Sequence, residues 1–156
     1  MRTVPCVAMT LFLVIISNTL FGQDTAATKA IHDRFIGAWR LASLEEPDAE
    51  GKIHRSECTG VLVFTADGHI SVQVMYQNPQ ASSNAAPVQY AQGGYEASFG
   101  TYRINDERSF RYHVDGALVR TLVGKDFQRV YELSGNKLVI RSPNPKEHWK
   151  VTWERY

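Results

Sequence analysis

The sequence lacks several features by which functional classes are recognised. Only two of its 156 residues are cysteines, Cys6 and Cys58, and 17 basic residues are nearly balanced by 16 acidic ones. Lys and Arg form no run, which argues against nucleic-acid binding, because neutralising phosphates requires clustered cations. Apolar residues (44%) and aromatic residues (11%) continue along the chain and exclude extensive disorder.

Motifs of catalysis and of cofactor binding are also missing. The sequence has no glycine-rich phosphate loop, no Gly-x-Ser-x-Gly elbow and no His-Glu-x-x-His motif. His54 and Cys58 lie four residues apart, but no second pair at metal-ligand spacing accompanies them. Ser109, His113 and Asp115 are the residue types of a catalytic triad, yet Ser109 and His113 would be ~13 Å apart in an extended strand. We therefore predict no metal, no cofactor and no triad.

The first 23 residues have the three parts of a secretory signal. Arg2 gives a positive start, Val7–Ile16 is an uncharged apolar run, and Ser17–Gln23 is a polar region. The run is shorter than the ~20 residues that a membrane span needs. We expect cleavage near Gly22 or Gln23 and a secreted or periplasmic mature protein. An uncleaved membrane anchor is the alternative.

The remaining chain has the size of one globular domain. It holds 16 basic and 16 acidic residues, and Cys58 is its one cysteine, so no internal disulfide can form. We divide the chain into a signal peptide (1–23), a linker and helix (24–34) and one domain (35–156). The spacing of apolar residues predicts a short helix over Lys29–Ile36.

Beyond the helix, apolar residues recur with a period of two, which is typical of strands. Short turns such as Ala66-Asp67-Gly68 separate the segments, and Asn78–Gly94 is a longer insert that we expect to cover the mouth of the domain. Eight strands are predicted. They are Trp39–Leu44, Val61–Thr65, His69–Tyr76, Tyr95–Ile104, Ser109–Val114, Phe127–Leu133, Lys137–Arg141 and His148–Arg155.

These strands predict an all-β fold. Consecutive hairpins imply antiparallel neighbours, and the crossover helices of a parallel sheet are absent from the pattern. Eight up-and-down strands can close into a barrel large enough for one small ligand. We therefore predict an eight-stranded antiparallel up-and-down barrel with a short N-terminal helix, and a two-sheet sandwich is the alternative.

The chain resembles the lipocalin-like domain family of bacteria and fungi. Gly37-Ala38-Trp39 matches the Gly-x-Trp motif that opens the first strand of lipocalins, and Gly60–Gly68, Phe99–Tyr102 and the terminal Trp153-Glu154-Arg155 continue the likeness. The resemblance implies a barrel that binds a small molecule. It also implies that Gly37, Trp39 and Arg155 close one end of the barrel, with the Arg155 guanidinium packed over the indole of Trp39.

Polar residues on apolar faces are the candidate ligand contacts. Arg129 shares a strand face with apolar residues, and burying it requires an anionic ligand or a structural carboxylate such as Glu96 or Glu132, unless its guanidinium reaches water at the rim. For the strand His69–Tyr76 the sequence leaves open which face points inward. The predicted ligand-binding residues are Gln73, Tyr102, Tyr112, His113, Arg129 and Tyr131.

We thus expect a secreted lipocalin-like protein that binds a small, largely apolar or amphiphilic molecule in its lumen. We predict no nucleic-acid partner, and we predict no stable membrane span once the signal is removed. The sequence leaves the oligomeric state open. One alternative is an isomerase, cyclase or hydratase that uses Tyr102, Tyr112 or His113 as acid or base and Arg129 as an oxyanion partner. The other is an interaction protein with a filled barrel.

Overall fold

The computed structural model describes residues 20–77 and 94–156, with side chains from residue 26 onward. The signal segment up to residue 19 and nearly all of the predicted insert lie outside these ranges. Apart from a short 3₁₀ turn at Arg120–Leu122, the described residues form one helix and nine strand segments. They are α1 (Leu20–Phe35), β1 (Gly37–Pro47), β2 (Ile53–Ser56), β3 (Cys58–Phe64), β4 (His69–Tyr76), β5 (Tyr95–Ile104), β6 (Ser109–Ala117), β7 (Asp126–Ser134), β8 (Lys137–Arg141) and β9 (Lys150–Arg155).

The strands form a closed antiparallel barrel. Each strand from β3 to β8 pairs with the next one in sequence, β1 pairs with β3, and β9 returns to pair with β1. The closing register runs from Trp39 opposite Arg155 to Glu45 opposite Lys150. The predicted up-and-down barrel is confirmed, and the two-sheet sandwich is excluded because a sandwich would leave the edge between β1 and β9 open.

The second strand of the barrel is longer than predicted and is interrupted. A single residue, Glu57, separates β2 from β3, and both segments run along the same edge of β1. β2 pairs with the far half of β1, where Leu44 lies opposite Ser56 and Pro47 opposite Ile53. We call this rim hairpin, residues 44–56, the β1–β2 extension. Its polar composition hides the alternation by which strands are recognised.

The helix α1 is also longer than the predicted helix and packs across one end of the barrel. The ring of Phe35, its last residue, meets the rings of Phe64 and Tyr131 edge to face, at centroid distances of 5.0 and 4.8 Å. Phe110 adds a third edge-to-face contact at 5.8 Å. These aromatic side chains fill the lumen beneath α1, so this end of the barrel is closed.

Arg155 and Trp39 connect the end of α1 to the first and last strands. The Arg155 guanidinium lies 4.3 Å from the centroid of the buried Trp39 ring. It donates hydrogen bonds to the carbonyls of Ile36 (2.7 Å) and Arg34 (2.5 Å), while Trp39 Nε1 donates to the Phe35 carbonyl (2.9 Å). A cation at the carboxyl end of a helix satisfies carbonyls that lack partners in the helix and complements its dipole.

Gly37 leaves the space that this contact needs. Its φ of +127° lies in the region that favours glycine, and a Cβ at this position would lie 2.7 Å from Nη1 of Arg155. A side chain here would therefore both strain the backbone and displace the guanidinium.

Replacing Arg155 by Met should lower the free energy of unfolding by about 2–3 kcal/mol, because two charge-assisted hydrogen bonds and the contact with Trp39 are lost. Urea denaturation followed by near-UV circular dichroism measures the change. The matched control is Arg141→Met, which removes an ion pair with Glu132 on the exposed surface and should cost less than about 1 kcal/mol. Equal losses in the two variants would contradict a special role for Arg155.

Candidate functional site

Beyond the aromatic side chains of Phe35, Phe64, Phe110 and Tyr131, which we call the aromatic cluster, the lumen contains a cavity of about 110 Å³. Its wall is mostly aliphatic and aromatic. These apolar lining residues are Leu44, Leu62, Ile70, Val72, Val74, Phe110, Ile140, Trp149, Val151 and Trp153. The polar lining residues are Glu46, Tyr76, Glu96, Ser98, Tyr112 and Arg129. The described side chains therefore leave part of the barrel open, and polar groups interrupt its apolar wall.

Glu46 brings a carboxyl group into this cavity from β1. Its side chain is 5% exposed, and its two oxygens accept hydrogen bonds from the hydroxyls of Ser56 and Tyr76, the latter at 3.3 Å. Ser56 lies on β2, and its Oγ is 3.2 Å from Nε2 of His54. The β1–β2 extension thus holds the Glu46 carboxyl in place with a neighbouring hydroxyl, as a buried carboxylate requires.

Glu96 brings a second carboxyl group into the cavity, from the start of β5. Burial raises the pKa of Glu96 to about 8. The nearby Arg129 guanidinium lowers this pKa, and the nearby Glu46 carboxylate raises it further. Burial also raises the pKa of Tyr76, and the two carboxylates add to that effect. At neutral pH Glu96 is therefore mostly protonated, and it can donate a hydrogen bond as well as accept one.

Arg129 lies on β7 with its side chain 7% exposed. The guanidinium lies 4.8 Å from the centroid of the Phe127 ring and 5.1 Å from that of Trp149, and Nη1 donates to the Gln128 carbonyl at 3.2 Å. The two rings support a buried cation through their π faces. Glu132, one of the two carboxylates considered as a structural partner, pairs instead with Arg141 on the outer surface.

Ser98 is a buried polar residue in the wall of the cavity. Its side chain is 3% exposed, and its Oγ has no hydrogen-bond partner within the described residues. A buried hydroxyl without a partner loses free energy relative to water, and a polar atom in the cavity can restore the hydrogen bond. Ser98 therefore offers a hydrogen bond to a molecule in the lumen.

The structure separates the six predicted ligand contacts into three groups. Arg129 and Tyr112 line the cavity. Tyr102 and Tyr131 lie in the closed end beneath α1, where the Tyr102 hydroxyl is 3.0 Å from Nε2 of His32 and the Tyr131 hydroxyl donates to a backbone carbonyl at 2.9 Å. Neither of these two tyrosines contributes to the cavity wall.

Gln73 and His113 are on the outside of the barrel. Gln73 is exposed and accepts a hydrogen bond from the Tyr95 hydroxyl at 2.8 Å. His113 lies between Asp126 (3.0 Å) and Asp115 (3.6 Å). The inward face of β4 is its aliphatic face, which the sequence had left open. The cavity wall thus excludes both residues, because their strands direct apolar neighbours inward.

Several residues of the cavity were not predicted as contacts from the sequence. Glu46, Tyr76 and Ser98 were not considered, and Glu96 was considered only as a partner of Arg129. The alternation of inward and outward residues along a strand could have identified them. Glu96 and Ser98 share a strand face with Tyr102, and Glu46 shares one with Leu44. A carboxylate beside a turn or a long insert is ordinarily a surface residue, and this hides the signal.

Within the described ranges, no three His, Cys, Asp or Glu side chains come together in a way that could hold a metal ion. Over the same part of the chain, no helix has the length and apolar character needed to cross a membrane.

The raised pKa of Glu96 predicts a pH dependence of stability. The ordinary pKa of a Glu is 4.5, so between about pH 4.5 and 8 the folded state keeps a proton that the unfolded state releases. The free energy of unfolding therefore falls as the pH rises through this window. Glu96→Gln should remove this fall, on the order of a few kcal/mol, since one pKa unit corresponds to ~1.4 kcal/mol. Urea denaturation at several pH values measures it.

The matched control is Glu132→Gln, an exposed acid in a surface ion pair, which should retain the fall seen in the unmodified protein. Parallel curves for Glu96→Gln and the unmodified protein would contradict a half-buried Glu96 that keeps its proton at neutral pH.

The solved structures that resemble this chain include the three that follow. A lipocalin-like protein from Bacteroides uniformis is 14% identical, with 79% of this chain and 99% of that one covered and a TM-score of 0.48. An uncharacterised protein from Bacteroides eggerthii is 15% identical, with coverages of 78% and 99% and a TM-score of 0.47. A mutant of the fluorescent protein UnaG is 15% identical, with coverages of 80% and 97% and a TM-score of 0.42.

A comparison with curated proteins finds no match. The family model described as the lipocalin-like domain matches residues 36–156, which is the whole barrel from the end of α1 to the last residue. The chain belongs to the lipocalin-like domain family.

Proposed function

We propose that the protein binds a small, largely apolar molecule in the lumen of its barrel. The observation that carries the proposal is the cavity of about 110 Å³ with its mostly apolar wall. The cavity is somewhat smaller than an apolar cavity of ~150 Å³ in another protein that takes up benzene, so its volume is on the order of what a small molecule needs. Removing apolar ligand surface from water supplies the free energy of binding, and the few polar groups orient the molecule.

The polar groups of the cavity favour one orientation of the ligand. Glu46 and Glu96 lie near the ends of β1 and β5 that are remote from α1, whereas Leu62, Ile70 and Phe110 form the deeper wall. An amphiphilic molecule would therefore place its apolar part toward the aromatic cluster and its polar end toward the rim, where Arg129 can contact it.

A variant that fills the lumen tests this proposal. Val72 lines the cavity, whereas the next residue, Gln73, is exposed on the outside of the same strand. Val72→Phe should weaken the binding of toluene by more than about tenfold, because the added ring occupies the space of the ligand. Titration followed by the NMR signals of the Trp149 and Trp153 indole N–H groups measures binding.

Gln73→Phe is the matched control and should leave the affinity unchanged, since its ring points away from the lumen. Equal toluene affinity in the two variants would contradict binding in the lumen. Native mass spectrometry of the protein from its own host should also detect a retained molecule that Val72→Phe no longer carries.

We further propose that the protein is exported. Arg2, the apolar run Val7–Ile16 and the polar region Ser17–Gln23 support the proposal, and they are features of the sequence alone. Cleavage near Gly22 would leave the end of α1 intact, including the carbonyls of Arg34 and Ile36 that Arg155 contacts.

N-terminal sequencing of the protein recovered from the producing cells tests export. The expected mature start is close to position 22 to 24, in the periplasm or the medium. An intact Met1 on protein held in the membrane fraction would instead support the uncleaved anchor.

A proton-transfer enzyme, such as an isomerase, cyclase or hydratase, is the second candidate function. The observation that favours it is that the Glu96 carboxyl group and Arg129 line one mostly apolar cavity, where burial raises the pKa of Glu96 to about 8. In that case Glu96 takes the role of acid that Tyr102, Tyr112 or His113 was expected to fill. A carrier returns its molecule unchanged, whereas an enzyme releases an altered one, so the fate of the retained molecule separates the two functions.

A further inference from the structure

We propose that Ser98 selects ligands that carry a hydrogen-bonding oxygen between two apolar parts, as a ketone does, and that it holds this oxygen midway along the lumen. Ser98 is then a specificity-determining residue, whereas the apolar wall supplies the free energy of binding. This inference rests on the proposed binding function and names the chemical class of the ligand. Its basis is the position of one buried hydroxyl in the cavity wall.

The Ser98 hydroxyl lies on the lumen face of β5 and is shielded from solvent. The side chain is 3% exposed, it lines the cavity, and its Oγ makes no hydrogen bond within the described residues. A hydroxyl can donate one hydrogen bond and accept two, and leaving a buried one unused costs free energy. A ligand atom that bonds to Ser98 therefore removes a cost that the empty cavity carries.

The strand register explains why Ser98 has no partner among the described side chains. Val72 of β4 and Ala117 of β6 lie directly opposite Ser98, and neither side chain has a polar atom. Gly100, the next inward position toward the closed end, has no side chain, and a Cβ there would lie 1.9 Å from the His113 carbonyl oxygen. The backbone thus fixes apolar surroundings on three sides of the hydroxyl, and its open side is the lumen.

The depth of Ser98 determines where the oxygen of the ligand must lie. Along β4, Val72 lies between Ile70 on the side of the closed end and Val74 on the side of the mouth, and all three line the cavity. Alternate residues of a strand are ~7 Å apart, so the apolar wall continues by about that length on both sides of Ser98. A ligand that fills the cavity therefore has carbon on both sides of the atom that contacts the hydroxyl.

A ketone meets both conditions. Its oxygen accepts a hydrogen bond from the Ser98 hydroxyl, and its two carbon substituents extend toward the closed end and toward the mouth. A secondary alcohol has the same arrangement. A primary alcohol carries its oxygen at one end, so it either leaves Ser98 without a partner or leaves part of the apolar wall uncovered.

Two ligands of nearly the same shape test the inference. Cyclohexanone and methylenecyclohexane differ in having C=O or C=CH₂, and each is titrated into the full chain while the indole N–H signals of Trp149 and Trp153 are followed. Ser98→Ala should weaken the binding of cyclohexanone about fivefold and change that of methylenecyclohexane by less than about twofold, because only the ketone loses a hydrogen bond. Comparing the two ratios cancels the different cost of removing each ligand from water.

Ser71→Ala is the matched control. Ser71 precedes Val72 on β4 and faces outward, so its loss should leave both affinities unchanged.

The infrared carbonyl band of bound cyclohexanone gives a second, direct measurement. A hydrogen bond lowers the stretching frequency of a carbonyl group, so the band should move to higher frequency in Ser98→Ala. Ser98→Cys keeps a side chain of similar size with a weaker donor, and its band should lie between the other two. This variant still tests the inference if Ser98→Ala does not fold.

An unchanged band and an unchanged ratio of affinities in Ser98→Ala would overturn the inference while leaving the lumen as a binding site. That result is expected if Ser98 holds a water molecule that the ligand does not displace. Equal loss of both ligands would also overturn it, because Ser98 would then act on the shape of the cavity. If neither compound binds to the unmodified protein, the proposed binding function fails and this inference fails with it.

Discussion

The pairing of β1 with β9 is the constraint on which the rest of the structure depends. Once these two strands meet, β1 and every strand from β3 to β9 have a neighbour on both sides, and alternate residues of these strands point into one lumen. Phe35 and the rings around it fill the end beneath α1, so the empty space is confined to the other end. Closure therefore brings together Glu46, Glu96 and Arg129, which are distant in sequence.

Placing these three groups in one apolar cavity has an electrostatic cost, and the structure reduces that cost in a different way for each of them. Glu46 is stabilised by two hydroxyl donors, Arg129 by the faces of two rings, and Glu96 by retaining its proton. None of these arrangements resembles an exposed surface ion pair, which contributes little.

The fold was largely predictable from the sequence, whereas the site was predictable only in part. Alternating apolar residues and turns such as Asp67-Gly68 mark strands locally, and the likeness around Trp39 extends to the family. Arg129 stands out because a cation on an apolar face is unusual. Glu46 and Glu96 do not, because each is an acid near the end of a strand, and only the closed register reveals that their side chains share the lumen. Glu57 also interrupts the strand between β2 and β3. The inward–outward alternation of β3 therefore cannot be extended to Ser56, and the sequence does not show that Ser56 lies beside Glu46.

The β1–β2 extension has a consequence for how such a protein can diverge. Ser56 reaches the Glu46 carboxyl from a segment that pairs only with the far half of β1, away from the contacts of Arg155 and Trp39 that hold the closed end. Substitutions at Ser56 can therefore alter the polar groups at the mouth of the barrel without touching the contacts that hold the closed end. The polar groups at the mouth of the barrel and the contacts that hold its closed end are thus carried by separate parts of the chain.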